Sequence, residues 1–159
     1  MLSAIHAARA VDWPKIFRTA FLFLFVAYPG VSLKIMKMFK CVEVEGQHWL
    51  VADMRTLDLG ERFGGVLAWD SFFHLTAGEQ REALPRLARH VAPGGGLLFT
   101  CGPAAGEVVG TVEGEPVFHA SLSRDEYESL LDAAGLHVEA FEVEDPDCDL
   151  HTICLARRT

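Results

Sequence analysis

Asp70 and His74 stand close together behind an apolar run, in the stretch GGVLAWDSFFHL (Gly64–Leu75). A carboxylate and an imidazole, the latter with an ordinary pKa near 6.5, are the side chains best suited to take a proton from a reacting group near neutral pH. Trp69 and Ser71 flank the carboxylate. A second such place is Asp53-Met54, at the end of HWLVADM (His48–Met54), and a third is Cys101-Gly102-Pro103, behind LLFTC. A strand that only packs ends in turn residues, whereas ligands of open parallel sheets bind beyond the carboxyl ends of the strands. On that rule Asp53, Met54, Trp69, Asp70 and Ser71 are candidate ligand-binding residues and His74, or Asp70 itself, a candidate base. The plainer alternatives are that Asp53 caps a turn, that Met54 is core and that His74 packs or caps. His90, His119, His137 and His151 have no ligand spacing with one another or with the cysteines, so no metal site is expected. Gly94–Gly96 precedes a strand rather than a helix, which predicts a turn and not a phosphate cradle.

Strands are expected at 48–54, at Gly65–Ser71, nearly all apolar and so buried on both faces, and at Leu97–Cys101. Thr76-Ala-Gly-Glu79 has the pattern of a capping box and opens a helix that runs to His90, with Pro85 marking a kink or restart. Glu107–His119 suggests a hairpin around Gly114. Ser123-Arg-Asp-Glu126 repeats the capping pattern and opens a second helix, which Gly135 ends as a left-handed residue. Strands at His137–Val143 and His151–Ala156, joined by EDPDCD, close the chain as an antiparallel pair. This is an α/β order, with a mostly parallel sheet, an antiparallel final strand and helices on both faces.

With 159 residues and half of them hydrophobic, the chain suits one domain with a real core. A net charge of −8 argues against a nucleic-acid partner. Four cysteines without C-x-x-C spacing point to free thiols in a reducing compartment, the cytoplasm. The charge is unevenly divided. Residues 1–40 hold six Lys/Arg against the single acid Asp12, while 41–159 hold eight arginines, no lysine and 21 acids. The division predicts an atypical basic segment, 1–40, before an α/β domain, 41–159. Lysine, isoleucine and phenylalanine, which AT-rich codons encode, crowd into the first part, so we read the two parts as having different genetic origins; uniform base composition in the coding DNA would remove that idea. Within the front, AFLFLFVAY (Ala20–Tyr28) is too short to span a bilayer, which takes ~20 apolar residues. It is read as a buried strand or a poorly ordered arm rather than a targeting segment. VSLKIMKMFK is read as an ordinary surface helix rather than a membrane contact through residues 13–40.

Taken together, WLVADMRTLDL, FGGVLAWDSFFHL, VAPGGGLLFT and the closing EDPDCDLHTICLARR resemble the class I S-adenosylmethionine-dependent methyltransferases, from Gln47 to Arg158. The resemblance implies an incomplete Rossmann-like sheet. It also implies that Asp53 accepts a hydrogen bond from the adenine amino group with the Met54 N–H nearby. The loop of Trp69, Asp70 and Ser71 then lines the methionine end of the cofactor and the substrate, a small molecule. The chain departs from the family at its front. The family's glycine-rich loop after the first strand is missing: only Gly30 and Gly46 lie upstream of His48. Glu43 and Glu45 imitate the family's ribose-binding acid but stand too near Asp53 for the usual intervening helix. Two or three hydrogen bonds to a charged group, at ~1.5–3 kcal/mol each, are worth several powers of ten in affinity. The expected function is therefore methyl transfer from S-adenosylmethionine, impaired by the missing loop. The alternative is a non-catalytic remnant that serves as a protein-interaction module. AFLFLFVAY is a candidate for a substitute central strand that covers exposed sheet edge.

Overall fold

The computed structural model describes residues 52–112 and 114–159, together with the backbone of three short strands at 21–23, 42–44 and 47–49. The three are β1 (Phe21–Phe23), β2 (Val42–Val44) and β3 (Gln47–Trp49). Next come β4 (Phe63–Ala68), a 3-10 turn at Phe72–His74, helix α1 (Ala77–Arg89) and β5 (Val91–Cys101). β6 (Gly106–Val112), β7 (Glu115–Ser121), α2 (Arg124–Ala133), β8 (Leu136–Asp145), a 3-10 turn at Pro146–Cys148 and β9 (His151–Arg158) follow.

Five strands form one mixed sheet in the order β1-β4-β5-β9-β8. β1, β4 and β5 pair in parallel, and β9 runs against both β5 and β8. The expected antiparallel closing pair is present, with its last strand inserted inside the sheet. Part of AFLFLFVAY supplies β1, with Phe21 opposite Gly65 and Phe23 opposite Leu67. The helix expected over VSLKIMKMFK lies outside the described residues.

Three expectations need correction. The strand expected at 48–54 does not join this sheet where it is described: Gln47–Trp49 pairs antiparallel with Val42–Val44 in a separate two-stranded sheet. Asp53 instead opens a turn, its carbonyl accepting from Thr56 N at 3.1 Å and its Oδ1 from Arg55 N at 2.9 Å. Pro85 lies inside α1 without dividing it. The glycines after Pro93 are no terminating turn but an irregularity within β5, between the pairs Phe63↔Val91 and Gly65↔Gly96. There a Cβ on Gly95 would fall 2.8 Å from the Gly64 carbonyl oxygen and 2.9 Å from that of Ala92, so only glycine fits. Among the described residues α1 and α2 pack on each other and into a single apolar core.

The caps explain why these segments are helical. Thr76 accepts from Glu79 N, and Glu79 returns the bond to Thr76 N at 2.9 Å, a complete capping box. Ser123 makes only half of one, accepting from Glu126 N, because the Glu126 carboxylate goes to Arg81. Gly135 ends α2 at φ +78°, as its position predicted. Beneath the helices Phe72, Phe99 and Tyr127 are fully buried with their rings in contact, Phe72–Phe99 and Phe99–Tyr127 edge to face at 5.2 and 5.3 Å.

Candidate active site at the sheet's carboxyl edge

The parallel strands β4 and β5 finish on the same side, and β9, running the other way, begins there. Strand direction alone therefore brings Trp69-Asp70 after β4, Gly102 after β5 and His151 at the head of β9 to one edge. Asp70 sits in the left-handed region at φ +46°, which an aspartate tolerates better than most residues. Its N–H donates to the buried Thr100 Oγ1 at 3.0 Å, so its main chain is tied to β5. Its side chain is half exposed, with Oδ1 2.7 Å from His151 Nε2. The other ring nitrogen, Nδ1, lies 2.7 Å from the Cys148 carbonyl oxygen. Both ring nitrogens thus have an oxygen within hydrogen-bond distance, one a main-chain carbonyl and the other a carboxylate. The Trp69 indole lies against the same ring, centroids 5.2 Å apart.

His74 is placed differently. Its Nδ1 is 3.1 Å from the Phe118 carbonyl oxygen on β7, and its ring packs against Phe73 and His119 with centroids 4.6 and 5.0 Å apart. Partial burial and the neighbouring His74 hold His119 below the usual histidine range. Ser71 is fully buried, and its carbonyl accepts from His74 N at 3.2 Å. Met54 is core.

Asp53 lies beside the start of α1, on this same edge, through Arg55: the guanidinium reaches both Asp53 oxygens at 2.6–3.0 Å and Glu79 Oε1 at 2.7 Å. The Arg55 hydrogen bonds hold both carboxyls below their usual range. Asp53 and Asp70 thus occupy one edge but share no partner among the described residues. Behind them a buried polar network fixes the loops. Gln80 Nε2 donates to the carbonyls of Leu75 and Ala120 at 3.0 and 2.8 Å. The Tyr127 hydroxyl donates to Gln80 Oε1 at 2.6 Å and accepts from Leu122 N at 3.1 Å. Ser121 Oγ, 3.1 Å from that hydroxyl, accepts from Gly102 N at 3.2 Å.

The opposite edge holds a shallow depression of about 110 Å³ lined by Asp58, Gly60, Glu61, Arg62, Arg89 and His90. His90 is spent there, with Nδ1 on the Arg86 carbonyl at 2.7 Å and Nε2 accepting from Leu59 N at 3.0 Å. No His/Cys/Asp/Glu group among the described residues could hold a metal ion, and none of their helices is long and apolar enough to cross a membrane.

Sequence reasoning singled out Asp70 and passed over His151, which has no ligand spacing to any other histidine. The signal lay in topology: the first residue of an antiparallel final strand must stand where the parallel strands end.

The chain shares its fold with solved class I S-adenosylmethionine-dependent methyltransferases. Among solved structures the chain is similar to S-adenosylmethionine-bound CalS10, an amino pentose methyltransferase from Micromonospora echinaspora. The identity is 20%, the TM-score 0.59, and the match covers 99% of this chain and 96% of that one. It is similar to the 1,6-didemethyltoxoflavin-N1-methyltransferase of Burkholderia thailandensis, solved with its substrate and S-adenosylhomocysteine, at 18% identity and TM-score 0.57 over 96% of this chain and 68% of that one. The CcbJ methyltransferase from Streptomyces caelestis matches at 19% identity and TM-score 0.53, over 69% of this chain and 67% of the other. No protein-family profile matches the sequence, and no curated protein is similar to it.

Proposed function

We propose that residues 41–159 form a methyltransferase-type domain that binds S-adenosylmethionine at the sheet's carboxyl edge and acts on a small molecule. The observation that supports this most is the coincidence of that fold with a pinned, half-exposed carboxylate, Asp70, at the edge where the fold binds ligands. The residues there fit the acceptor-facing half of such a site, since Asp70 Oδ2 has no hydrogen-bond partner among the described residues and the Trp69 indole lies against His151, which holds Oδ1. S-adenosylmethionine supplies an electrophilic methyl group on a sulfonium, which leaves as S-adenosylhomocysteine when a nucleophile takes the methyl. The protein's part is to bind, align and exclude water. The main chain at Met54 and Ser71, whose side chains are buried, would line the nucleoside and methionine ends together with Trp69 and Asp70. Asp70 takes the role of proton acceptor in preference to His74, whose Nδ1 is committed to Phe118.

The proposed activity is impaired, because no glycine-rich loop precedes His48. One observation favours the non-catalytic alternative, in which the domain is an interaction module. The Asp53 carboxylate meant for adenine already holds three donors from Arg55. Equilibrium dialysis of methyl-labelled S-adenosylmethionine against the full chain distinguishes the two. Saturable retention, strengthened by Arg55→Ala, supports the enzyme-type reading; no retention at millimolar cofactor supports the remnant.

A further inference from the structure

We propose that His151 is a positioning residue that fixes the Asp70 carboxylate as a seat for a cationic amine, and that the methyl acceptor is therefore an amine. The inference rests on the methyltransferase reading above and adds to it a substrate class and a residue role.

His151 cannot itself be the base. Its two nitrogens face the Cys148 carbonyl and the Asp70 carboxylate, each at 2.7 Å, so both are engaged within the protein and neither faces a substrate. What it can do is orient. Asp70 is held at three points: by its left-handed backbone at φ +46°, by the N–H bond to Thr100 and by the Oδ1 bond to His151. That leaves Oδ2 as the oxygen presented to the edge.

The chain ahead of His151 is shaped for the purpose. Asp149 and Leu150 are both left-handed, at φ +51° and +61°, and Leu150 is an exposed leucine in a conformation that costs ~1–2 kcal/mol. Backbone strain of that kind persists where surrounding structure fixes it and gathers at functional sites. Here it swings the chain from the Cys148 carbonyl into β9 and sets the imidazole between its two acceptors.

A fixed carboxylate oxygen is the chemistry that receives an alkylammonium, by a charge-assisted hydrogen bond. No lysine or arginine pairs with Asp70 among the described residues, and an anionic acceptor would be repelled by its carboxylate. The same oxygen serves the chemistry. An ammonium must lose a proton before its nitrogen can attack; the N–H electron pair stays on nitrogen while the proton binds Oδ2 and passes to water.

The test uses the full chain and two ligands, followed by isothermal titration. S-adenosylhomocysteine has a neutral sulfur, whereas sinefungin carries an ammonium-bearing carbon where the methylated sulfonium stands. The wild type should bind sinefungin more tightly by about tenfold or more, the worth of a charge-assisted bond. Asp70→Asn, which keeps the shape and tolerates the left-handed backbone, should bring the ratio to about one. His151→Leu should remove most of the preference. His151→Gln, whose amide nitrogen can still donate to Oδ1, should restore it. A structural defect would weaken both ligands alike and leave their ratio unmoved. In a second arm, cyclohexylammonium added to the S-adenosylhomocysteine complex should shift the Trp69 indole resonance and cyclohexanol should not. Binding of both nucleosides with one ratio in wild type and all variants overturns the proposal and leaves the methyltransferase reading standing, as does an equal response to amine and alcohol. Binding of neither nucleoside overturns both.

Discussion

Tyr127 shows how much one hydroxyl can organise. It is fully buried, and its oxygen serves Gln80, Ser121 and the Leu122 N–H at once, joining α1, the end of β7 and the loop after β5. A phenylalanine would keep the ring contacts with Phe72 and Phe99 but strand the Gln80 carbonyl and the Leu122 N–H without partners. Tyr127→Phe should therefore lose about 2–3 kcal/mol in urea unfolding, while Tyr127→Phe with Gln80→Leu should lose less than the sum, the mark of a shared network. None of this was legible in the sequence, where Tyr127 and Gln80 read as ordinary helix positions. Networks depend on which helices come together, and periodicity does not specify that. Asp70 was legible because an acid at the end of an apolar strand conflicts with packing alone. His151 was not, because its meaning depends on a strand 50 residues and more away in the chain.

Among the elements, the helices were the most readable, since Thr76, Glu79, Ser123 and Gly135 are chemical signals for where a helix starts or stops. The strands near the front were misread. HWLVADM has the composition of a sheet strand, but the alternating VEV and QHW segments pair with each other instead, and Asp53 turns the chain. The glycine run before LLFT was read as a terminator, because sequence gives no hint that two carbonyl oxygens press on one of its Cα atoms. That contact yields a sharp expectation. Gly95→Ala should cost ~2–3 kcal/mol by forcing β4 and β5 apart, whereas Gly94→Ala, with open space at its Cβ, should suffer only the strain of φ +73°. Thermal unfolding of the two variants side by side checks it.

At the scale of the whole molecule, titrating groups bound the pH range of stability. Asp53 and Glu79 have carboxyls held below their ordinary values of 3.8 and 4.5 by Arg55 and, for Glu79, by Thr76. Groups depressed by folding stabilise above the unfolded pKa, and that contribution is lost as pH falls through the folded one. The pair is exposed, so its share is small and salt-screened. The alkaline side is different. Burial pushes the Cys101 thiol from 9.0 to about 12 and raises the Cys154 thiol and the Tyr127 phenol as well. Stability from these neutral forms is complete below the unfolded pKa values and declines as pH rises above about 9. The Tm should be level from pH 6 to 8, fall gently below pH 4.5 in low salt and fall steeply from pH 9 to 11. A level Tm through pH 11 would contradict the burial of these groups.

The order of elements, and with it the fold, was readable because capped helices and apolar strands alternate. The packing of the two helices on each other was not, because connection lengths do not fix the side of the sheet. The central claim is that this fold places its ligand site at the edge where Asp70, Gly102 and His151 meet. An ¹H–¹⁵N correlation spectrum of the full chain, recorded during titration with S-adenosylhomocysteine, tests it directly. The shifted resonances should be the amides of Asp70, Ser71 and Gly102 and the Trp69 indole. Shifts gathered instead at Gly60, Arg62 and His90, or a spectrum unmoved at millimolar ligand, would contradict it.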